Sequence, residues 1–274
     1  MGNAIKSEIR KIFTTRLWWG LAIGLAILAA LISAGFAALV GVEGAGGPDD
    51  GNNPFGSMTI GTAQLIYNAG LIQNLTTLLP LALGVLLITS EYRHKTISST
   101  LLATPKRSVV LLSKIAAVAV IGAVYAVIHA ASSILGGALI LTLVKNQPTM
   151  LGEPEVWRSL GVGVIAFILW ILLGFGFGML VRNQIAAVLL AVGVGFVAHI
   201  ALNIIFGVLE WTTAAKFIPG NLTASMLVQS DPVAGGSSGP QPYFTWWVAG
   251  LILAGYALAM SIAGAWRMSR QDIS

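Results

Sequence analysis

Six apolar runs, each matching or exceeding the roughly 20 residues a helix needs to cross a bilayer, occupy most of this 274-residue chain. They cover residues 17–40, 63–89, 113–144, 156–181, 185–208 and 246–266. Hydrocarbon offers no hydrogen bonds, so a run buried in it must satisfy its own backbone, and runs of this length do so as helices. The expected fold is an all-α integral membrane protein, a single transmembrane domain over residues 1–274 with six transmembrane helices. Composition agrees. With 9% charged residues and a mean hydropathy of +0.85, the chain has too little charge for a water-exposed globular surface, which carries ~25%.

The segments between the runs predict the topology. Residues 2–16 put Ile5, Ile9, Ile12 and Phe13 on one helical face and Lys6, Arg10 and Lys11 elsewhere, the pattern of an amphipathic helix lying in the membrane interface. The run that follows far exceeds the h-region of a secretory signal peptide. It reads as a retained span, anchored by Trp18 and Trp19 at the interface. Residues 41–62 form a turn-rich loop without Lys or Arg. The run at 113–144 is longer than a bilayer requires and must tilt or protrude. Only Arg182, Asn183 and Gln184 separate the fourth and fifth runs, whereas residues 210–245 make a long connection whose first part, 214–228, is apolar enough for a short outer-face helix. With the N-terminus inside, Lys6, Arg10, Lys11, Arg16, Arg93, Lys95, Lys106, Arg107, Lys114, Arg182, Arg267 and Arg270 fall on one side, and Lys145, Arg158 and Lys216 on the other. Such an imbalance over short loops places both termini in the cytoplasm of a multi-pass protein of the inner (plasma) membrane. It also accounts for the net charge of +5 without a nucleic-acid partner.

Catalytic and metal-binding patterns are absent or out of context. No G-x-x-x-x-G-K-[ST] occurs, so the chain carries no P-loop of its own, and no enzymatic activity is expected of it. Gly235, Ser237 and Gly239 spell a nucleophile elbow, but in a Gly/Ser linker rather than a strand-turn-helix. Gly161-x-Gly163 and Gly193-x-Gly195 lie inside apolar runs, where helix packing explains them better than a dinucleotide. Asp49, Asp50, Asn52 and Asn53 lack the spacing of a calcium loop. His94, His129 and His199 belong to no paired metal motif, and there is no cysteine. No metal or cofactor is expected on this chain. The interiors of the runs also lack Asp, Glu, Lys and Arg, the groups that ion-coupled transporters place there.

Neutral polarity does occur within two runs. Asn68, Gln73, Asn74, Thr76 and Thr77 lie in the second, and His199 and Asn203, four apart on one helix face, in the fifth. These groups read either as interhelical hydrogen bonds or as the lining of a cavity, with Asn74, Thr77, His199 and Asn203 the candidates. Gly20-x-x-x-Gly24 and Gly174-x-x-x-Gly178 are close-packing motifs, suited to dimerisation or to packing inside one subunit.

The polar stretch between the second and third runs, residues 90–114, carries Arg93, Lys95, Lys106, Arg107 and Lys114 against the single acid Glu91. Ser90 and Glu91 suit a helix start and Thr104-Pro105 its stop, with Ile97, Leu101 and Leu102 on one face. Glu91, Arg93, Thr96, Ile97, Thr100, Leu101, Pro105 and Arg107 resemble the pattern found at this place in ABC-2 type transporter permeases. That resemblance, strongest over residues 91–107, implies a type V exporter-like fold. It implies a cytoplasmic coupling helix at residues 90–107 that docks on a separate ATPase, with Glu91, Arg93, Thr96, Ile97, Leu101 and Pro105 as its coupling residues. It further implies two copies of that ATPase, holding ATP and magnesium, and a second permease subunit, identical or homologous, all embedded in membrane lipid. The function implied is outward export of a hydrophobic or amphipathic substrate such as a drug, natural product, lipid or peptide. The alternative is a stand-alone channel or assembly factor whose cytoplasmic helix is only structural.

Overall fold

A computed structural model describes residues 2–42, 53–94, 107–181, 183–228 and 244–270. Among these, every regular element is helical: α1 (Gly2–Thr14), α2 (Arg16–Ala38), α3 (Ile60–Tyr67), α4 (Ala69–Ile72), α5 (Leu78–Arg93), α6 (Arg107–Leu143), α7 (Pro154–Leu180), α8 (Gln184–Val208), α9 (Thr212–Ala215), α10 (Pro219–Leu227) and α11 (Trp246–Arg270). Among the described residues, five helices are long and apolar enough to cross a membrane: α2, α6, α7, α8 and α11. The end of the bundle that carries Lys114 is called the basic end below.

The bundle is built around α7, against which α5, α6, α10 and α11 all pack. Glycines set how closely the axes approach. A Cβ on Gly84 would stand 2.1 Å from the Ile171 carbonyl oxygen, and one on Gly174 would stand 2.1 Å from that of Leu81. The backbones of α5 and α7 therefore touch, as small residues allow where no hydrophobic effect drives helices together in lipid. Gly174-x-x-x-Gly178 is spent inside the subunit in this way, since Gly178 meets Val85 and Ile88. Gly20 and Gly24 on α2 face open space. Helix α2 rests instead on α6, where Gly136 lies against the Ala30 carbonyl.

The second apolar run departs from the expected continuous helix over 63–89. It is broken into α3, α4 and α5, with turns at Asn68 and at residues 73–77. Asn68, Gly70, Asn74, Thr76 and Thr77 at the break are weak helix formers. Asn74 also adopts a positive φ of 57°, a conformation that Asn tolerates better than most residues. The break keeps its backbone satisfied: Leu75 and Thr76 N–H both donate to the Gly70 carbonyl, and Asn74 N–H to that of Leu71. This is the condition for irregular backbone at membrane depth. Side chains then pin the broken half. Tyr67 Oη donates to the Thr149 carbonyl (2.8 Å), Gln64 to that of Glu155 (3.1 Å), and Asn68 to Ser159 Oγ (3.1 Å).

Two further boundaries differ from expectation. No helix starts at Ser90-Glu91. The Ser90 hydroxyl turns back to the Leu87 carbonyl instead of capping forward N–H groups, and α5 runs through Glu91 to Arg93. Residues 95–106, with Thr96, Ile97, Leu101 and Pro105, lie outside the described residues. Helix α6 begins at Arg107, earlier than the expected 113, and spans 37 residues. Helix α8 follows the expected fifth run but contains a π-helical turn at Gly193–Ala198. The short helix expected in 214–228 is present as α10, buried against α7 and α11.

Candidate functional site

At the basic end, three elements meet on one buried ammonium. Lys114, in the second turn of α6, is 7% exposed. Its Nζ donates to Glu8 Oε2 of α1 at 3.0 Å and to Glu91 Oε1 in the last turn of α5. Lys11 Nζ closes the chain of charges on Glu8 Oε1 at 2.7 Å. Burial by itself would raise the Glu8 carboxyl, but hydrogen bonds and charge from Lys11 and Lys114 outweigh it and hold the group below its ordinary value. Two carboxylates and two ammoniums balance. Glu91 Oε2 has no protein partner among the described residues, and the cluster borders a cavity of about 410 Å³ that reaches Thr15, Ser90 and Phe175. Arg93, two residues on, turns the other way and donates to Gln184 Oε1 at the start of α8 (3.2 Å).

The residues entering and leaving 95–106 are thus tied to each other, to α1 and to α8. Glu91 and Arg93 both have partners within the chain. Glu8 and Lys114 were not singled out in the sequence. The available signals were a lone lysine at the margin of an apolar run and a lone acid in a basic helix.

The four residues considered as cavity lining do not gather in one place. Asn74 and Thr77 are fully buried. Thr77 Oγ1 donates to Asn74 Oδ1 (2.6 Å), and Asn74 Nδ2 donates to the Gly195 carbonyl (2.5 Å) inside the π turn of α8. A π turn shifts the backbone ladder by one residue, and here the break in the second run meets it with an amide. His199 and Asn203 stand together further along α8. Asn203 Nδ2 donates to the His199 carbonyl (2.9 Å), its Oδ1 accepts from Asn221 Nδ2 of α10 (2.8 Å), and the His199 ring lies flush on Gly220. These amides fasten α10 to α8.

One of the four, His199, also lines a cavity of about 280 Å³ enclosed by α5, α7, α8, α10 and α11, whose walls are otherwise almost wholly apolar. Among the described residues no group of three or more His, Asp or Glu stands in position to hold a metal.

Two comparisons bear on identity. No curated protein matches the chain. A family model for ABC-2 family transporter protein matches residues 4–199, well over half of the chain, and its range takes in most of α1, the tied ends around 95–106, α2 to α7 and the first part of α8. The chain belongs to the ABC-2 transporter family and is a membrane permease of an ABC transporter.

Proposed function

We propose that this protein is the membrane subunit of an ATP-binding cassette exporter that moves a hydrophobic or amphipathic molecule out of the cell. The observation that carries this reading is the Glu8–Lys114–Glu91 cluster. It joins the two helices that flank residues 95–106 and adds α1, so a push on that segment reaches three elements at once. Residues 95–106, by their resemblance to the family's coupling helix, dock on a separate ATPase through Ile97 and Leu101, with Thr96 and Pro105 shaping the segment. Two ATPase copies hold ATP and magnesium, and this chain hydrolyses nothing.

All six runs cross the inner membrane, the second as a broken helix, with both termini cytoplasmic. A second permease, identical or homologous, completes the pathway. Helix α8 is the least buried of the long helices and presents Ile185, Leu189, Val197, Ile200 and Ile204 outward, which suits a face shared with that partner. Membrane lipid surrounds the rest. The absence of Asp, Glu, Lys and Arg from the interiors of the runs favours apolar cargo, because a highly charged ion would lose its hydration there without compensation.

The test is co-expression with a candidate ABC ATPase and reconstitution. Leu101→Asp is expected to abolish cargo-stimulated ATP hydrolysis while leaving the permease inserted. A single cysteine at Ser237, in a chain that has none, is expected to label from outside. Full transport by Leu101→Asp, or labelling of Ser237→Cys from inside only, refutes the coupling role and the orientation respectively.

A further inference from the structure

The apolar cavity beside His199 is a slot between α7, α8 and α11. Along α8, the residues facing it include Ala191, Gly195 and Ala198, which recur at helical spacing and leave room where larger side chains would fill the gap. Trp170 and Phe177 of α7 form its floor, and Ala259 of α11 stands on the far side. Helices α8 and α11 scarcely touch each other, although α11 packs closely on α7 and the first half of α8 packs closely on α5. The cavity therefore lies in a fork between them. Its rim residues Val194 and Ala259 are exposed at the side of the bundle. Leu78 and Leu81 of α5 press against Gly195 and wall the slot on that side. At the end away from the basic end stand the polar groups: the His199 ring on Gly220, the Asn203–Asn221 amides, and Tyr256 Oη donating to the Phe217 carbonyl.

Water does not suit such a space, since it needs two to four polar partners, whereas an apolar cavity of about 150 Å³ already accepts benzene. About 280 Å³ takes a longer apolar group. A slot at membrane depth that is walled by apolar side chains and opens sideways between two helices suits an apolar chain entering from the lipid.

We propose that this slot binds one acyl chain of a membrane phospholipid within a single subunit, with the ester region emerging beside His199 and Tyr256. The site is separate from the export pathway between subunits, and from the reading of the chain as an exporter.

The experiment uses the full-length protein in phosphatidylcholine nanodiscs doped with phosphatidylcholine that carries a diazirine on one acyl chain, with adducts mapped by peptide mass spectrometry. Adducts are expected to concentrate on residues 191–202 and 256–260. Ala198→Phe and Ala259→Phe, which fill the slot from opposite walls, are each expected to lower that yield at least fivefold. Adducts on α2 at the exposed Ile27 and Leu31 serve as the control for annular lipid and are expected to stay unchanged. Leu202→Ala, which widens the slot, guards against misfolding of the filled variants and is expected to hold or raise the yield. Equal yields in wild type and both filled variants would overturn the proposal. So would labelling of these peptides by a diazirine fatty acid but not by the phospholipid, which would make the slot a site for single-chain amphiphiles.

Discussion

Lys114 is the residue on which the basic end depends, and its contribution is measurable. Removing one member of a buried charge cluster leaves the others without compensation, a loss of about 3–5 kcal/mol for such pairs. Lys114→Met strands Glu91 and leaves Glu8 with Lys11 alone, so a large fall in thermal stability in detergent is expected. The triple variant Glu8→Gln, Lys114→Met, Glu91→Gln removes the charges together and is expected to recover most of that fall. Failure of the triple variant to recover would show that Lys114 acts through packing.

Glu8 gives a pH test with a definite sign. Its folded carboxyl titrates below the ordinary value of 4.5, so its contribution to stability is complete above that value and is lost as pH falls through the lowered one. The stability difference between wild type and Glu8→Gln should be constant near neutrality and close as pH drops below the ordinary carboxylate range. A difference that instead widens on acidification contradicts the pairing. None of this was legible from Glu91 alone. The sequence displays a carboxylate before a basic stretch, but nothing in it brings Glu8, from a helix 106 positions before Lys114, to the same ammonium.

At the level of elements, length and apolarity made five helices legible, since lipid leaves a long apolar run little choice, though α6 begins at Arg107 and not at the expected 113. The break in the second run was not legible. Its Asn, Gln, Gly and Thr residues lower the hydropathy of the run but do not say where the helix breaks, and what decides the conformation is an acceptor on another helix, the Gly195 carbonyl exposed by the π turn of α8. Asn74 serves both sides of that contact. Asn74→Gly keeps the positive φ and loses only the hydrogen bonds, whereas Asn74→Leu also forces a side chain into a left-handed conformation at a further cost of about 1–2 kcal/mol. Melting temperatures should therefore fall in the order wild type, Asn74→Gly, Asn74→Leu. Equal melting of the two variants would mean that the backbone strain is relieved elsewhere. Residues 91–107 mark the opposite limit: the sequence carries a recognisable pattern there, yet the pattern does not specify where one helix ends and the next begins, and α5 runs past the expected start.

At the level of the molecule, helix α6 is long for its surroundings. Its 37 residues rise ~1.5 Å each and so reach about 55 Å, against a hydrocarbon core of about 30 Å. Even a tilt near 40°, the steep end of what is observed, leaves a rod of about 42 Å along the membrane normal. The remainder stands out of the hydrocarbon core, and Lys114 lies near the foot of this stilt, beside the end at which an ATPase would push. How far the foot protrudes is then set by the lipid and not by the protein alone. In thicker bilayers the stilt sinks and the foot draws toward the headgroups; in thinner ones it stands proud. ATP hydrolysis by the assembled transporter should accordingly pass through a maximum as acyl chains are lengthened from 14 to about 22 carbons, while melting of the isolated permease in detergent shows no such dependence. A flat response would mean that the stroke is absorbed before it reaches α6. A maximum would make bilayer thickness a gear ratio of the machine.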